Sequence, residues 1–593
     1  MANWRVAAKR ADFNAIAEKY KITPVVARII RNRDIIEDAD IDKFLHGGIS
    51  DLYSPFLLKD MEKAVDMLLS KIEEKKQIRI IGDYDIDGIC STYILYRGLC
   101  VCGAKVDTAI PHRMHDGYGL NEHLIDTAHE AGTDTVLTCD NGIAAYPQIA
   151  YANSLGMTVI VTDHHEVPYE EMNGVRTYKI PPAYAVVDPK QEDCAYPFPE
   201  ICGAVVAYKL VLILLAKHFG KTWQEIMNAA LGLELLEFAA FATIGDVMEL
   251  KDENRIIVKC GLELMKNTRN IGLRALMDVT EIRPEHIKPY TIGFVLGPCL
   301  NATGRLDTAA NALALFQAED TESAVMIAGD LKAMNDSRKE LTQKGVEEAI
   351  RLIEENGLLN DRVLVVYLPE VHESLAGIIA GRIREKYGKP TFVLTNAEDG
   401  VKGSGRSIEA FHMYDEMTKC KELFTKYGGH KLAAGLSLPK ENVEPFRKKL
   451  NNNCTLTDED FEEKVLIDVP MPMDYASFDL VRELELLEPF GNGNPKPQFA
   501  HKDVRLISGR ILGAHKNVGK YVVAGESGKR FDMMYFGDLE AFNAFLCEKF
   551  GADQVKQLYG GGADGLAISV VYYPDINEFR GNTSLQMIMK YYQ

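Results

Sequence analysis

The sequence predicts a multidomain α/β protein in which a parallel-sheet catalytic domain is followed by a smaller α/β domain and a C-terminal β-barrel. Three observations predict it. From about residue 61 to 260, short apolar β-branched runs alternate with helical periodicity, the pattern of a doubly wound parallel sheet buried on both faces. A shorter alternation of the same kind recurs over 362–450. The last ~130 residues carry strand-like segments set off by turns, which a small closed barrel accommodates.

In chain order, residues 1–60 show helical spacing (Val25, Val26, Ile29 and Ile30, then Ile35, Ile41, Phe44 and Leu45) without evident chemistry, and read as a helical packing extension. Residues 61–265 form the catalytic domain, with a helix over 61–74, a strand ending at Ile81, a helix over 89–99 and a strand over 105–110. Residues 266–357 are a helical region. Its stretch 320–355 lacks proline, is rich in Ala, Leu, Glu and Lys, and reads as a long connecting helix with Gly329 and Gly345 as the points where it would break. Residues 358–450 make the second α/β domain, with strands over 362–367 and 391–395 flanking a helix over 374–387. The asparagine run 451–453 marks a boundary, and 451–593 is the barrel domain, with strands over 504–507, 521–524, 531–535, 566–573 and 585–592.

At 593 residues, 47% hydrophobic and 26% charged, the chain is globular and too long for one ordinary core. No apolar run approaches the ~20 residues that span a bilayer. The opening Met1-Ala2-Asn3-Trp4-Arg5 also lacks the apolar segment of a signal peptide, so a cytoplasmic location is expected. The cysteines number eleven with no Cys-x-x-Cys pair, which points to reduced thiols rather than disulfides or a zinc knuckle. A net charge of −19 excludes coating of nucleic acid by bulk electrostatics. It leaves open a nuclease whose acidic metal cluster inflates the negative count.

Four points carry chemistry: Asp83-Tyr84-Asp85-Ile86-Asp87-Gly88, Asp140-Asn141-Gly142, Asp163-His164-His165 and Asp246. Each of the first three follows an apolar β-branched run, so its acids belong at the carboxyl ends of neighbouring parallel strands, where open α/β sheets bind ligands. Carboxylates crowded there need a cation. A calcium EF-hand loop is excluded, because Ile94 stands where the twelfth position needs Glu and a strand precedes the loop. Hard oxygen donors with one or two imidazoles suit Mn²⁺ or Mg²⁺, with Zn²⁺ also open, and a pair of such ions suits in-line phosphodiester hydrolysis. A P-loop ATPase is excluded: in the stretch 513–520 five residues separate the glycines, and Tyr521 replaces the Ser or Thr.

In order, spacing and strand context these points resemble the motif series of the DHH phosphoesterase superfamily, spelled by Asp163-His164-His165. Further segments resemble its RecJ-type, single-stranded-DNA-specific exonuclease family. They are Ile110-Pro111-His112-Arg113, Gly117-Tyr118-Gly119-Leu120, Val187-Asp188-Pro189-Lys190-Gln191, Gly297-Pro298-Cys299-Leu300-Asn301-Ala302-Thr303-Gly304-Arg305, Gly428-Gly429-His430, Glu488-Pro489-Phe490-Gly491-Asn492-Gly493-Asn494-Pro495-Lys496-Pro497 and Asn577-Glu578-Phe579-Arg580-Gly581. The resemblance implies metal ligation by Asp85, Asp87, Asp140, His164 and Asp246, with Asp83 as an added ligand and His165 facing the scissile phosphate. Asp87, Asp140, His164 and His165 would act in catalysis. It further implies a DHH-associated domain closing over the substrate, a final OB-fold, and 5′→3′ degradation of single-stranded DNA to mononucleotides in repair and recombination. A helicase and a single-strand-binding protein are the implied partners.

Arg113, Arg305, Arg338, Arg382 and Arg406 mostly lie in short motifs beside glycine, histidine or serine, which suits planar contacts to phosphate. Tyr118, between glycines, suits either a stacked base or a core position. The resemblance adds Asn301, His372, Ser404, Gly429 and His430 to the substrate-binding set. Two positions depart from the family pattern: Cys299 replaces an arginine after Gly297-Pro298, and Ile81 replaces a histidine two residues before Asp83. Two other readings stay open, a DHH phosphodiesterase acting on short oligonucleotides or cyclic dinucleotides, and an inactive single-strand-binding scaffold. The β-rich tail speaks against the first and the complete ligand set against the second.

Overall fold

β-branched runs buried on both faces build the first sheet of this computed structural model, which describes residues 3–593 apart from 113–118, 173, 307–308, 398–399, 514–515, 563–565 and 580. Strands β1 (Gln77–Ile81), β2 (Lys105–Ala109), β3 (Thr135–Cys139), β4 (Thr158–Thr162) and β5 (Ala185–Val187) are all parallel, in the order β2-β1-β3-β4-β5. On one face, helices α1 (Ile86–Val101) and α2 (Gly203–Phe219) bury Ile78, Ile80 and Leu137. On the other, Leu124, Ile125, Ile149 and Ala152 cover Val136, Val159 and Val161. This is the doubly wound sheet that the alternation predicts. The chain leaves β1 for β2 on one side and then crosses to β3 on the other, so the crevice at this reversal opens at the carboxyl ends of β1 and β3.

Behind the sheet, the apolar helix α3 (Ala230–Gly245) and its neighbour α4 (Asp252–Met265) complete the largest core, and α5 (Gly297–Leu306) packs on α6 (Thr321–Glu355). Helix α6 runs unbroken for 35 residues. Gly345 does not interrupt it but permits close packing, since a Cβ there would stand 2.5 Å from Ile379 Cδ1. Beyond α6, β6 (Leu364–Tyr367), β7 (Thr391–Ala397), β8 (Gly400–Arg406), β9 (Lys426–Gly429) and β10 (Ala433–Leu438) form a mixed sheet ordered β9-β10-β8-β7-β6. Helix α7 (Ala376–Tyr387) covers it, with Ile379 and Ile383 packed on Leu364, Val366 and Val393. The asparagine run is helical rather than a linker: it ends the helix Val443–Asn453, and the Asn451 side chain pairs with the backbone N–H and C=O of Val363 at 3.0 and 2.9 Å. Asn451 thus ties that helix to the start of the sheet.

All of these elements belong to one compact unit, Gly48–Phe461 with Gly491–Gly493. The other unit joins Met1–Gly47 to Glu462–Phe490 and Asn494–Gln593. Its sheet comprises β11 (Val469–Pro470), β12 (Phe499–Leu512), β13 (Val518–Ala524), β14 (Arg530–Tyr535), β15 (Leu566–Phe579) and β16 (Asn582–Tyr592). The order is β11-β12-β13-β14-β16-β15, and β12 pairs again with β15, so the sheet closes into a barrel without free long edges. The N-terminal extension packs here, with Val26, Ile29, Phe44 and Leu45 in the same core as Phe499, Tyr521, Phe542 and Tyr572. Asn3–Val6 also pairs in parallel with Lys464–Ile467, and Arg33 reaches Asp468 at 2.8 Å. Among the described residues no helix is long and apolar enough to cross a membrane, and all eleven cysteines are free thiols.

Candidate metal centre

The acids predicted at strand ends converge. Asp83 follows β1, Asp140 follows β3 and Asp163-His164-His165 follows β4, and these strands are adjacent in register. Asp246 caps the C-terminus of α3, an apolar helix buried along most of its length. Three overlapping groups each bring ligand atoms within 4.8 Å of one another: Asp140, His164 and His165; Asp87, His164 and Asp246; Asp83, Asp85 and Asp140. His164 joins the first two, its Nε2 3.0 Å from Asp140 Oδ1, 3.4 Å from Asp87 Oδ2 and 3.9 Å from Asp246 Oδ2, and Asp140 joins the first to the third.

Backbone N–H groups hold the carboxylates in place. Asp85 caps the N-terminus of α1, its Oδ1 accepting from the N–H of Asp87 at 2.9 Å and of Gly88 at 3.1 Å. Asp87, in the first turn of α1, accepts at 2.6 and 2.8 Å from the N–H groups of Gly203 and Ala204, which open α2. It therefore lies at two helix N-termini, where partial positive charge favours a carboxylate. Asp140 sits at φ 59°, a left-handed conformation that turns the chain off β3, and Gly142 follows at φ 116°. Asn141 locks the turn by donating to the carbonyls of Ile81 at 3.1 Å and Cys139 at 2.9 Å. Asp163 accepts from the N–H groups of Ile143 and His164 at 2.9 and 2.8 Å and holds His165 Nδ1 at 2.8 Å.

Electrostatics state the need for a cation. Burial first, then Asp85, pushes the Asp83 carboxyl up to about 7. Burial followed by Asp87 and Asp85 raises Asp246 to about 8, and Asp140 is raised well above the carboxylate range by burial and by Asp87, Asp85, Asp83 and Asp246. Burial lowers His164. It also opposes protonation of His165, but the hydrogen bond to Asp163 and the charges of Asp163, Asp87 and Asp246 hold that ring up at about 9. Asp83 Oδ2 is buried without a hydrogen-bond partner among the described residues. Oxygen-rich donors, one open buried oxygen and mutually repelling carboxylates fit hard divalent cations. Ile81 is fully buried in β1, and Asp83 stands in the ligand group beside it.

The substrate-side residues are spread over both lobes. Ser404 on β8 lines a cleft of about 440 Å³ whose wall also includes Tyr84 from the catalytic loop, Ser374, Lys402, Lys426 and Gly428. His372 is exposed near the start of α7, its Nδ1 2.7 Å from Ser374 Oγ. Arg406 lies against Gly377, where a Cβ would be 2.8 Å from a guanidinium nitrogen, and donates to the Gly405 carbonyl at 2.8 Å. Gly429, at φ 149°, and exposed His430 end β9. Asn301 on α5 has a buried Oδ1 without a partner among the described residues. Arg113 and Tyr118 lie outside the described residues, and so does the side chain of Arg305.

Cys299 is buried against α6, accepting from Asn335 Nδ2 at 3.4 Å. Arg338 stands close by with a buried Nε that has no partner among the described residues; burial lowers its affinity for the proton, Cys299 opposes this and Arg382 adds to it. Among the described residues neither Arg338 nor Arg382 has an acidic partner.

Sequence reasoning missed Gly203, Ala204 and the supporting roles of Asp163 and Asn141. Asp163 and Asn141 lie within motifs that the sequence offers, whereas the backbone N–H of Ala204 carries no residue-type signal. A Cβ on Gly203 would stand 2.9 Å from Asp140 Cβ and 3.0 Å from Asp87 Oδ2. Gly203→Ala is therefore expected to lower activity about 10- to 100-fold and to raise the metal concentration needed for half-maximal rate, as loss of a supporting contact does at metal sites. An unchanged metal midpoint with full activity would refute the crowding.

Comparisons with known proteins agree along the chain. Residues 77–239 match the DHH family N-terminal domain, 360–455 the DHHA1 domain and 467–591 the RecJ OB domain. The chain is 34% identical to the single-stranded-DNA-specific exonuclease RecJ of Bacillus subtilis, over 97% of this chain and 69% of that protein. It is 32% identical to the Escherichia coli RecJ, over 96% of each. The crystal structure of Thermus thermophilus RecJ in complex with Mn²⁺ superposes with a TM-score of 0.80 at 25% identity, covering 100% of this chain and 79% of that one. With near-full-length identity to named exonucleases and matches to all three domain families, the chain belongs to the RecJ family of single-stranded-DNA-specific exonucleases in the DHH phosphoesterase superfamily.

Proposed function

We propose that the chain degrades single-stranded DNA from its 5′ end to mononucleotides, with two Mn²⁺ or Mg²⁺ ions held by Asp83, Asp85, Asp87, Asp140, His164 and Asp246. The observation that carries this is the meeting of three ligand groups at the carboxyl ends of β1, β3 and β4 beside the cleft that Tyr84 shares with the second lobe. Divalent cations bound there supply Lewis-acid charge to water and to the phosphate.

The protein's own groups do the rest. Asp87 and Asp85, fixed by helix N-termini, keep their donor atoms in place without reorganisation. His165, fixed through Nδ1 by Asp163, turns its other ring nitrogen away from that carboxylate and, protonated, donates to a phosphate oxygen. Arg113, Tyr118, Asn301, Arg305, Arg338, His372, Arg382, Ser404, Arg406, Gly429 and His430 are the proposed contacts to the strand. The barrel adds a single-strand-binding surface of the OB type. The proposed setting is repair and recombination in the cytoplasm, with a helicase and a single-strand-binding protein as partners.

A strand labelled at either end provides the test. With Mn²⁺, a 5′ label is expected to appear at once as mononucleotide while a 3′-labelled strand shortens gradually, and chelator stops both. Release of the 3′ label first would refute the polarity, and activity in chelator would refute the metal dependence.

A further inference from the structure

We propose that Tyr290 and Phe294 form a stacking platform for nucleobases of the substrate strand at the shoulder of the metal centre, an inference that rests on the single-strand activity proposed above. The two rings are 68% and 66% exposed and lie parallel to each other, with centroids 4.9 Å apart and planes at 21°. They sit on an unusual piece of backbone: the short helix Pro289–Thr291 runs into a π-helical turn, Ile292–Leu296, which leads directly into α5. Such turns are rare and frequently occur at functional sites.

The inner side of this turn is anchored by Thr291, Ile292 and Leu296, all buried, so neither outward ring is needed for the core. The turn is seated against the residues that carry the ligands. A Cβ on Gly293 would lie 4.0 Å from Ile244 Cγ2, two residues before Asp246. One on Gly297 would lie 2.7 Å from Ile86 Cδ1, between Asp85 and Asp87, and one on Gly304 2.8 Å from the Tyr84 carbonyl.

Single exposed apolar side chains are ordinary on protein surfaces. Two parallel aromatic rings on one turn, beside the ligand loops, are a different matter, because each keeps a face open to a flat π-system. A net charge of −19 leaves little bulk attraction for phosphates, so a strand needs contacts that do not depend on charge. Stacking is such a contact and tolerates any base.

The experiment uses the full-length chain with Tyr290→Ala, Phe294→Ala, the double change and Phe294→Trp. Binding of a fluorescent single strand and of an abasic strand of equal length is measured in an Asp140→Asn background, and KM and kcat are measured in the active enzyme. The double variant is expected to bind the base-bearing strand about tenfold more weakly and to raise KM by a similar factor with kcat retained, whereas Phe294→Trp keeps wild-type affinity. On the abasic strand the double variant should match wild type. Unchanged affinity and KM on base-bearing strands would overturn the platform and leave the surface to a protein partner. Equal losses on both strands would also overturn it, as damage to the turn. If the wild type degrades no single strand, the proposed function fails. The binding arm still decides the platform, which stands only if wild type prefers bases over the abasic strand and the double variant loses that preference.

Discussion

Asp140→Asn is expected to reduce metal-dependent hydrolysis by roughly 10³-fold or more, because a catalytic cation contributes several kcal/mol and each ~1.4 kcal/mol is a factor of ten in rate. Asparagine is the informative replacement. Asp140 lies at φ 59°, a region that asparagine tolerates and most other side chains do not, so the turn after β3 survives the change. The same variant should unfold at a higher temperature than wild type in chelator near pH 8, since it removes one of several carboxylates buried against each other. Activity follows from the labelled-strand assay and stability from thermal unfolding. A lower midpoint would mean that inactivity reflects a damaged fold, and activity within tenfold of wild type would remove Asp140 from the centre.

The metal-free protein is expected to lose stability as pH rises, and added Mg²⁺ to restore it by an increment that grows with pH. Asp83 and Asp246 are held up to about 7 and about 8, above the ordinary aspartate value of 3.8. Between 3.8 and about 8 the native state therefore binds protons that the unfolded chain has released, and stability falls through that window. His165 acts in the same direction. Raised from 6.5 to about 9, it contributes stability that is present below 6.5 and lost as pH passes about 9. A cation takes the place of the protons on the carboxylates. The rise in unfolding midpoint with millimolar Mg²⁺ should be larger near pH 8 than near pH 5 by about 5 °C or more. An increment independent of pH, or one retained in Asp140→Asn, would contradict this account.

The strand ends were legible because a β-branched run fixes where a parallel strand stops, and Asp83, Asp140 and Asp163 follow such runs within a residue. Their meeting in space follows from the sheet's geometry, as adjacent parallel strands end side by side. What holds them was not legible. The two N–H donors to Asp87 come from residues 116 and 117 positions further on, and a backbone N–H has no residue-type signature. Strand lengths in the barrel were underestimated for a related reason. β12 runs from Phe499 to Leu512 and includes Lys502 and Asp503, exposed polar residues just before the predicted 504–507 that read as loop. Gly345 misleads as a helix breaker because the neighbour it admits, Ile379, is remote in sequence.

The pairing of Asn3–Val6 with Lys464–Ile467 sets an order for biosynthesis. The first strand emerges from the ribosome hundreds of residues before its partner, and at about 5–20 residues per second it waits roughly 20 to 90 seconds for that partner. During that time the unit Gly48–Phe461, nearly continuous in sequence, can close on its own contacts and assemble the ligand loops. The N-terminal helices meanwhile expose Val26, Ile29 and Phe44, which only the last part of the chain can bury. A chain terminated before residue 462 would thus carry the assembled ligand loops together with an unpaired strand and a sticky helical surface, a combination prone to aggregation.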